Sequence, residues 1–326
     1  MQSHIAVIIC TWNRAAMLGE TLQSLARVRP PVTAQLEVLI VDNNSNDGTQ
    51  SLIQSLVTTW SLGRLHAVFE PKQGKQFALN AGIAEAKRLG CRVLAFTDDD
   101  VLFSEDWLEQ IAICMGKASA AALIGGRTVA TWPGGQPPVW YHSTMAAVVA
   151  DVDLGNARLD PPPGEYAPAG ANLIATADLF ERIGGFSETH FRHMDYEFGQ
   201  RALRRGEHVA YEPALLITAP VDPSIITQRY FRRWSFKAGI SPWKDIDKTV
   251  THFAGVPLWL YRRTLQDALS WLLAPLRAVP PNKRFACEFR LWRAWGTMSS
   301  RWMSRLRPEA YPVWAEGRAQ KRKNVY

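Results

Sequence analysis

The sequence predicts an α/β protein carrying a doubly wound, mostly parallel sheet. Two observations support this. Strand-like apolar runs alternate with helical patterns four times along the first 115 residues, and each run closes in a polar cluster. A chain of 326 residues with 47% apolar composition is long enough for one large domain or two smaller ones with a proper core, which excludes a disordered or fibrous protein.

In chain order, strands are expected at 4–10, 36–42, 64–70 and 92–97, and helices at about 15–27, 47–59, 74–89 and 105–115. Ligands of such sheets sit outside the carboxyl ends of the strands. Thr11-Trp12-Asn13-Arg14, Asp42-Asn43-Asn44-Ser45, Glu70-Pro71-Lys72 and Asp98-Asp99-Asp100 should therefore face one crevice. Residues 131–168 are rich in Pro and Gly and are expected to form long functional loops.

Four widely spaced cysteines, Cys10, Cys91, Cys114 and Cys287, suggest neither a zinc knuckle nor a disulfide framework, and fit a reducing compartment. The N-terminus runs directly into Ile5-Ala6-Val7-Ile8-Ile9, so no export is expected. The net charge of +7 is unevenly spread: residues 229–326 hold 20 Lys and Arg against 6 Asp and Glu, and eight of the 13 tryptophans. Nucleic-acid binders and membrane-surface helices share that composition, but no nucleic-acid motif accompanies it.

The three carboxylates Asp98, Asp99 and Asp100 follow the apolar run Val93-Leu94-Ala95-Phe96. Clustered negative charge at a buried strand end needs a cationic or hydrogen-bonding partner. Mg²⁺ or Mn²⁺ is one, since both take hard oxygen ligands from carboxylates and a diphosphate. A helix cap ahead of Ser104-Glu105-Asp106-Trp107 is the other reading.

Five motifs occur in order over about residues 4–240: Ile9-Cys10-Thr11-Trp12-Asn13-Arg14, Val41-Asp42-Asn43-Asn44-Ser45-Asn46-Asp47-Gly48-Thr49, Gly74-Lys75-Gln76-Phe77-Ala78-Leu79-Asn80-Ala81-Gly82, Asp98-Asp99-Asp100, and Pro168-Ala169-Gly170-Ala171-Asn172. Together they resemble family-2 glycosyltransferases of the GT-A (Rossmann-like) fold. The resemblance implies an inverting, metal-dependent transfer of a sugar from a nucleotide-diphosphate sugar, of UDP, GDP or dTDP type, to an acceptor hydroxyl.

The resemblance also implies roles. Asp42 would bind the base, where its alternative is an Asx-turn onto Asn44. Thr11, Asn13, Arg14, Asn44 and Asn80 would line the donor. Lys75, at a helix start where backbone N–H groups gather, suits a phosphate or is a solvated lysine. Asp98 and Asp99 would hold the nucleotide. The pattern permits Asp98 with either Asp99 or Asp100 as the metal pair; alternation along an extended strand end favours Asp98 and Asp100.

On the acceptor side the resemblance places Gly170, Asn172, Glu197, Arg233 and Trp234, and Asp195 as the general base, a carboxylate at a helix start that would otherwise be an N-cap. Two residues depart from the family pattern: Met194 replaces its usual Glu, and Ala219 stands where many relatives carry a histidine. The second would leave the metal leaning on water or Asp222.

In the C-terminal part, Leu258, Tyr261, Leu265, Leu269, Leu272 and Leu276 recur at helical spacing, as do Phe285, Phe289, Trp292, Trp302 and Leu306. Interrupting arginines exclude a membrane span. Helices lying on an anionic membrane fit the pattern, against the alternative of packing on the catalytic domain or a second subunit.

The expected organisation is a catalytic domain at 1–240, with a nucleotide-sugar half at 1–100 and an acceptor half at 101–240, followed by a basic, Trp-rich helical extension at 241–326. The expected protein is an inverting glycosyltransferase of surface polysaccharide or glycolipid synthesis, cytoplasmic and peripheral on the inner face of the plasma membrane, acting on a carbohydrate or lipid-linked acceptor. Rival readings are a catalytically silent nucleotide-binding scaffold and a sugar-nucleotide pyrophosphorylase.

Overall fold

The computed structural model describes residues 3–320 apart from 33, 117–120, 165, 191 and 241–249. Its first strand, β1 (Ser3–Thr11), sends Ile5, Val7 and Ile9 to one face and Ala6 and Ile8 to the other, all fully buried. A strand covered on both faces reads as a continuous apolar run, which is why the parallel half of the sheet was visible in the sequence.

The chain continues α1 (Ala15–Leu25), β2 (Ala34–Asp42), α2 (Thr49–Val57), β3 (Arg64–Phe69), α3 (Lys75–Arg88), β4 (Val93–Thr97), β5 (Leu102–Phe103), α4 (Trp107–Met115), β6 (Leu123–Thr131), β7 (Asn172–Thr176), α5 (Ala177–Ile183), α6 (Met194–Arg204) and β8 (Val209–Pro220). Helix α2 begins two residues later than its periodicity suggests, because Asp47 Oδ1 accepts the Thr49 N–H at 2.9 Å and forms a turn ahead of the helix.

The eight strands form one sheet in the order β3-β2-β1-β4-β7-β6-β8-β5. The pairs β1/β2, β2/β3, β1/β4 and β6/β8 are parallel; β4/β7, β6/β7 and β5/β8 are antiparallel. One core layer packs α1, α2 and α4 on the first face, and a second packs α3, α5 and α6 on the other. Gly82 lets α3 lie directly on β1, since a Cβ there would stand 2.6 Å from Ile8 Cγ2.

Register decides where the site forms. Thr11 pairs with Asp42, Asp42 with Phe69, and Ile9 with Thr97, so β1 to β4 end along one edge. Antiparallel β7 starts at that same edge, with Asn172 opposite Thr97.

These elements make one compact unit, residues 1–131, 150–188 and 194–220; the second unit comprises 132–149, 189–193 and 221–326. In the second, α7 (Gln228–Gly239) starts at Thr227, whose Oγ1 accepts the Tyr230 N–H at 3.2 Å. A hairpin of β9 (His252–Phe253) and β10 (Val256–Pro257) leads into α8 (Leu258–Leu273), α9 (Pro281–Leu306) and α10 (Tyr311–Gln320).

Helices α7 and α9 meet at two glycines: a Cβ on Gly239 would lie 2.2 Å from the Arg293 carbonyl oxygen, and one on Gly296 2.0 Å from that of Phe236. Ser235 Oγ donates to the Phe289 carbonyl at 2.6 Å across the same contact. Trp140, from the Pro/Gly-rich segment, packs edge-on against Phe231 and Phe285. No helix among the described residues is long and apolar enough to cross a membrane.

Candidate active site

The carboxyl ends of β1 and β4 bring three aspartates against two cations. Arg14, at the start of α1, donates from Nη1 to Asp99 Oδ1 and Asp100 Oδ2, both at 2.8 Å. Burial works against its charge, but the two carboxylates outweigh burial and raise its pKa. Lys75, first residue of α3, pairs with Asp98. Its pKa is also raised: burial opposes the charge, while Asp98 and then Asp195 sustain it. Gly74 makes this possible, holding φ at 142°, where a side chain would collide with Gln76 and Phe77 at 2.9 Å.

The three aspartates differ in exposure. Asp98 and Asp100 leave 25% and 40% of their side chains open, against 7% for Asp99, which is locked onto Arg14. Burial and then Asp98 push the Asp100 carboxyl up, against the pull of Arg14. Two open, hard-oxygen carboxylates with excess negative charge fit a divalent cation. Among the described residues no group of three or more His, Cys, Asp and Glu side chains is arranged to hold a metal, so further ligands would be phosphate or water oxygens.

The predicted donor residues divide by what they touch. Thr11 is buried with its Oγ1 unpartnered. Asp42 is buried at the end of β2, accepting the Ser45 N–H at 3.0 Å through Oδ1 and Gln50 Nε2 at 2.9 Å through Oδ2. Asn13, at φ 52°, donates its backbone N–H to Ser45 Oγ and accepts the Asn46 N–H at 2.7 Å, tying the loop after β1 to the loop after β2. Asn44 donates to the Pro71 carbonyl at 3.2 Å. Asn80 exchanges two 2.9 Å hydrogen bonds with the Phe186 backbone and clamps that turn onto α3.

Of the residues predicted for the acceptor side, Asp195 lies in the first turn of α6, and its Oδ2 accepts the Gly170 N–H at 2.8 Å. Asn172 is buried at the start of β7; its Nδ2 donates to the Arg127 and Leu215 carbonyls and its Oδ1 accepts Trp107 Nε1, which leaves no amide proton for a ligand. Glu197 makes a two-pronged pair with Arg201 at 2.9 Å, and Arg201 also holds the Gly185 carbonyl at 2.7 Å.

Arg233 and Trp234 lie on α7 in the second unit, Arg233 exposed and Trp234 stacked on Phe289 at 6.3 Å between centroids. Met194 is buried in the second core layer with Phe186 and Phe198, so the departure at this position fills the core. Ala219 is likewise buried at the end of β8. Asp222 caps a short turn by accepting the Ser224 N–H at 2.8 Å.

Several contributors were not singled out from sequence. Asn43 is buried and joins three segments: its Nδ2 donates to the Glu70 and Lys72 carbonyls, and its Oδ1 accepts the Gly74 N–H at 2.7 Å, fixing the start of α3 beside the end of β2. The Asx cluster was its signal. Gln50 holds Asp42 from within α2, a reach that no local pattern reveals. Beside them, Asp42, Gln50, Ile53, Gln54, Ala67, Val68 and Phe69 line a cavity of about 370 Å³.

Comparison with known proteins agrees with this architecture. Residues 6–147 match the family described as Glycosyl transferase family 2. Glycosyltransferase AglE of Haloferax volcanii is 24% identical over 220 residues, 67% of each chain. Succinoglycan biosynthesis protein ExoM of Rhizobium meliloti is 31% identical over 147 residues, so that match spans 44% of this chain and less than half, 45%, of ExoM. Among solved structures, the mannosyltransferase PcManGT from Pyrobaculum calidifontis superposes with a TM-score of 0.52 at 15% identity, covering 98% of this chain and 85% of that one. S. aureus TarS 1–349 gives 0.52 at 16%, covering 87% and 90%. These likenesses are likenesses of fold, and the fold is GT-A. The match to glycosyl transferase family 2 thus lies over residues 6–147, the stretch that carries the ends of β1, β2 and β4 and the aspartates after β4.

Proposed function

We propose that this protein is an inverting glycosyltransferase that moves a sugar from a nucleotide-diphosphate sugar to an acceptor hydroxyl in surface polysaccharide or glycolipid synthesis. The observation that carries the proposal is the convergence on Lys75: one cation at a helix start is paired with Asp98 and sustained by Asp195. The carboxylates assigned to the donor and to the acceptor side thus both act on the charge of Lys75. PcManGT was solved with GDP-Man and Mn²⁺, and TarS with UDP-GlcNAc, which supports a nucleotide-sugar donor and a divalent metal for a chain of this fold.

In this mechanism Asp42 and Thr11 receive the nucleoside, and Lys75, Arg14 and the N–H groups opening α3 receive the diphosphate. Asp98 and Asp100 would hold Mg²⁺ or Mn²⁺, which supplies charge neutralisation for the departing diphosphate. Asp195 takes the proton from the acceptor hydroxyl as that oxygen attacks the anomeric carbon from the face opposite the leaving group. The Gly170 N–H donates to Oδ2 and the Tyr196 N–H to Oδ1 at 2.9 Å, and together they orient the carboxylate. The acceptor is carbohydrate or lipid-linked, and the basic, Trp-rich C-terminal region rests on an anionic membrane at its cytoplasmic face.

The test is calorimetric titration with UDP, GDP and dTDP, each with Mn²⁺, Mg²⁺ or EDTA. Metal-dependent binding of one nucleotide is expected. Absence of binding to all three would overturn the donor assignment.

A further inference from the structure

Helix α8 buries an aspartate and turns most of its leucines outward. Its inward face carries Asp267, which is only 6% exposed and accepts Arg290 Nε at 2.9 Å, with Arg263 3.7 Å away. Leu260, the one leucine of this helix that is buried, lies on that face. Its outward face carries Leu258, Leu265, Leu269 and Leu272, exposed by 46%, 62%, 49% and 64%. At 100° per residue these four fall within a stripe about 60° wide and about 21 Å long, opposite Leu260 and Asp267. Leu276, 84% exposed, follows beyond the helix, and Trp259, 57% exposed, flanks its start.

A continuous stripe of this kind is a contact surface. Charge selects its occupant. Exposed Arg262, Arg263, Arg277, Lys283 and Arg284 surround the α8–α9 hairpin, within a region holding 20 Lys and Arg against 6 Asp and Glu. A second copy of this chain would bring the same positive field against itself, whereas an anionic surface is attracted. Leucine and tryptophan on one side with arginine at the margins suit the boundary between headgroups and acyl chains.

We propose that the outward leucine stripe of α8 is a lipid-inserting face, and that α8 lies in the plane of an anionic membrane with Asp267 and Arg290 turned away from it. This rests on the membrane-surface part of the function proposed above and is independent of the transfer chemistry.

The test is co-sedimentation of the full chain with phosphatidylcholine vesicles with and without phosphatidylglycerol, for wild type and Leu265→Asn/Leu269→Asn/Leu272→Asn. These side chains are already solvated, so the variant should match wild type in circular dichroism and thermal melting. A single Leu269→Asn variant repeats the comparison if the triple variant does not fold. The expected result is wild-type binding that requires phosphatidylglycerol, reduced at least tenfold in the triple variant and measurably in the single one.

Equal binding by wild type and folded variants would overturn the stripe assignment and leave the membrane reading standing. No vesicle binding by wild type would overturn both. A dimer in light scattering that the substitutions dissolve would make the stripe a self-interface and overturn the lipid assignment. The nucleotide titration reads the donor site separately.

Discussion

The backbone N–H of Gly170 donates to Asp195 Oδ2 at 2.8 Å, and a Cβ on Gly170 would stand 3.3 Å from that oxygen. The loop before β7 therefore reaches the carboxylate with its backbone. Asp195→Asn keeps the shape and removes the basicity. Transfer should fall by about 10²–10⁴-fold, the usual scale of general-base loss, with nucleotide affinity within a few-fold of wild type by calorimetry. A large loss of nucleotide binding would remove Asp195 from the role of base.

Asp100→Ala should weaken nucleotide binding in Mn²⁺ and leave the EDTA value nearly unchanged, because its open carboxylate is assigned to the cation. Asp99→Ala should behave differently: it releases Arg14 from a buried partner, and the loss should appear in stability. Parallel titrations and urea denaturation of the two variants separate these outcomes.

Asn172→Ala strands Trp107 Nε1 and the Arg127 and Leu215 carbonyls in a buried place. The expected cost is about 3 kcal/mol, from unsatisfied buried polar groups, measured by urea denaturation. Acceptor KM should stay unchanged in the folded fraction; a raised KM with unchanged stability would return Asn172 to the acceptor site.

Glu37 offers a pH test away from the site. Burial alone would raise its pKa, but hydrogen bonds from His66 and His4 outweigh burial and lower it below 4.5. A carboxylate with a depressed folded pKa adds stability above its unfolded pKa and loses that contribution as pH falls through the folded value. Thermal melting of wild type should thus drop more steeply below pH 4.5 than that of Glu37→Gln. Identical acid slopes would show that the two histidines do not stabilise the carboxylate.

The parallel strands are legible because burial on both faces leaves an unbroken apolar signature, as in residues 38–41. The antiparallel insertion of β7 between β4 and β6 was not, since no local pattern encodes which distant strand pairs with β4. The candidate site residues follow the same division. Asp98, Asp99 and Asp100 announce themselves by adjacency, and Lys75 by its place after Gly74. Asn172 and Glu197 carry the polar chemistry of an acceptor site but spend it on Trp107 and Arg201. The leucine periodicity of α8 was visible, but not which face turns inward: that was decided by Asp267 finding Arg290 on the next helix.

The β4/β7 junction also governs how the site comes into being during folding. Thr97 and Asn172 are neighbours across it, yet β5, α4 and β6 are synthesised between them. The aspartates after β4 can adopt their surroundings as soon as the first parallel strands assemble, while Asp195 waits for a long loop to close, a non-local step that slows folding. Nucleotide binding should therefore recover earlier than sugar transfer when the denatured chain refolds.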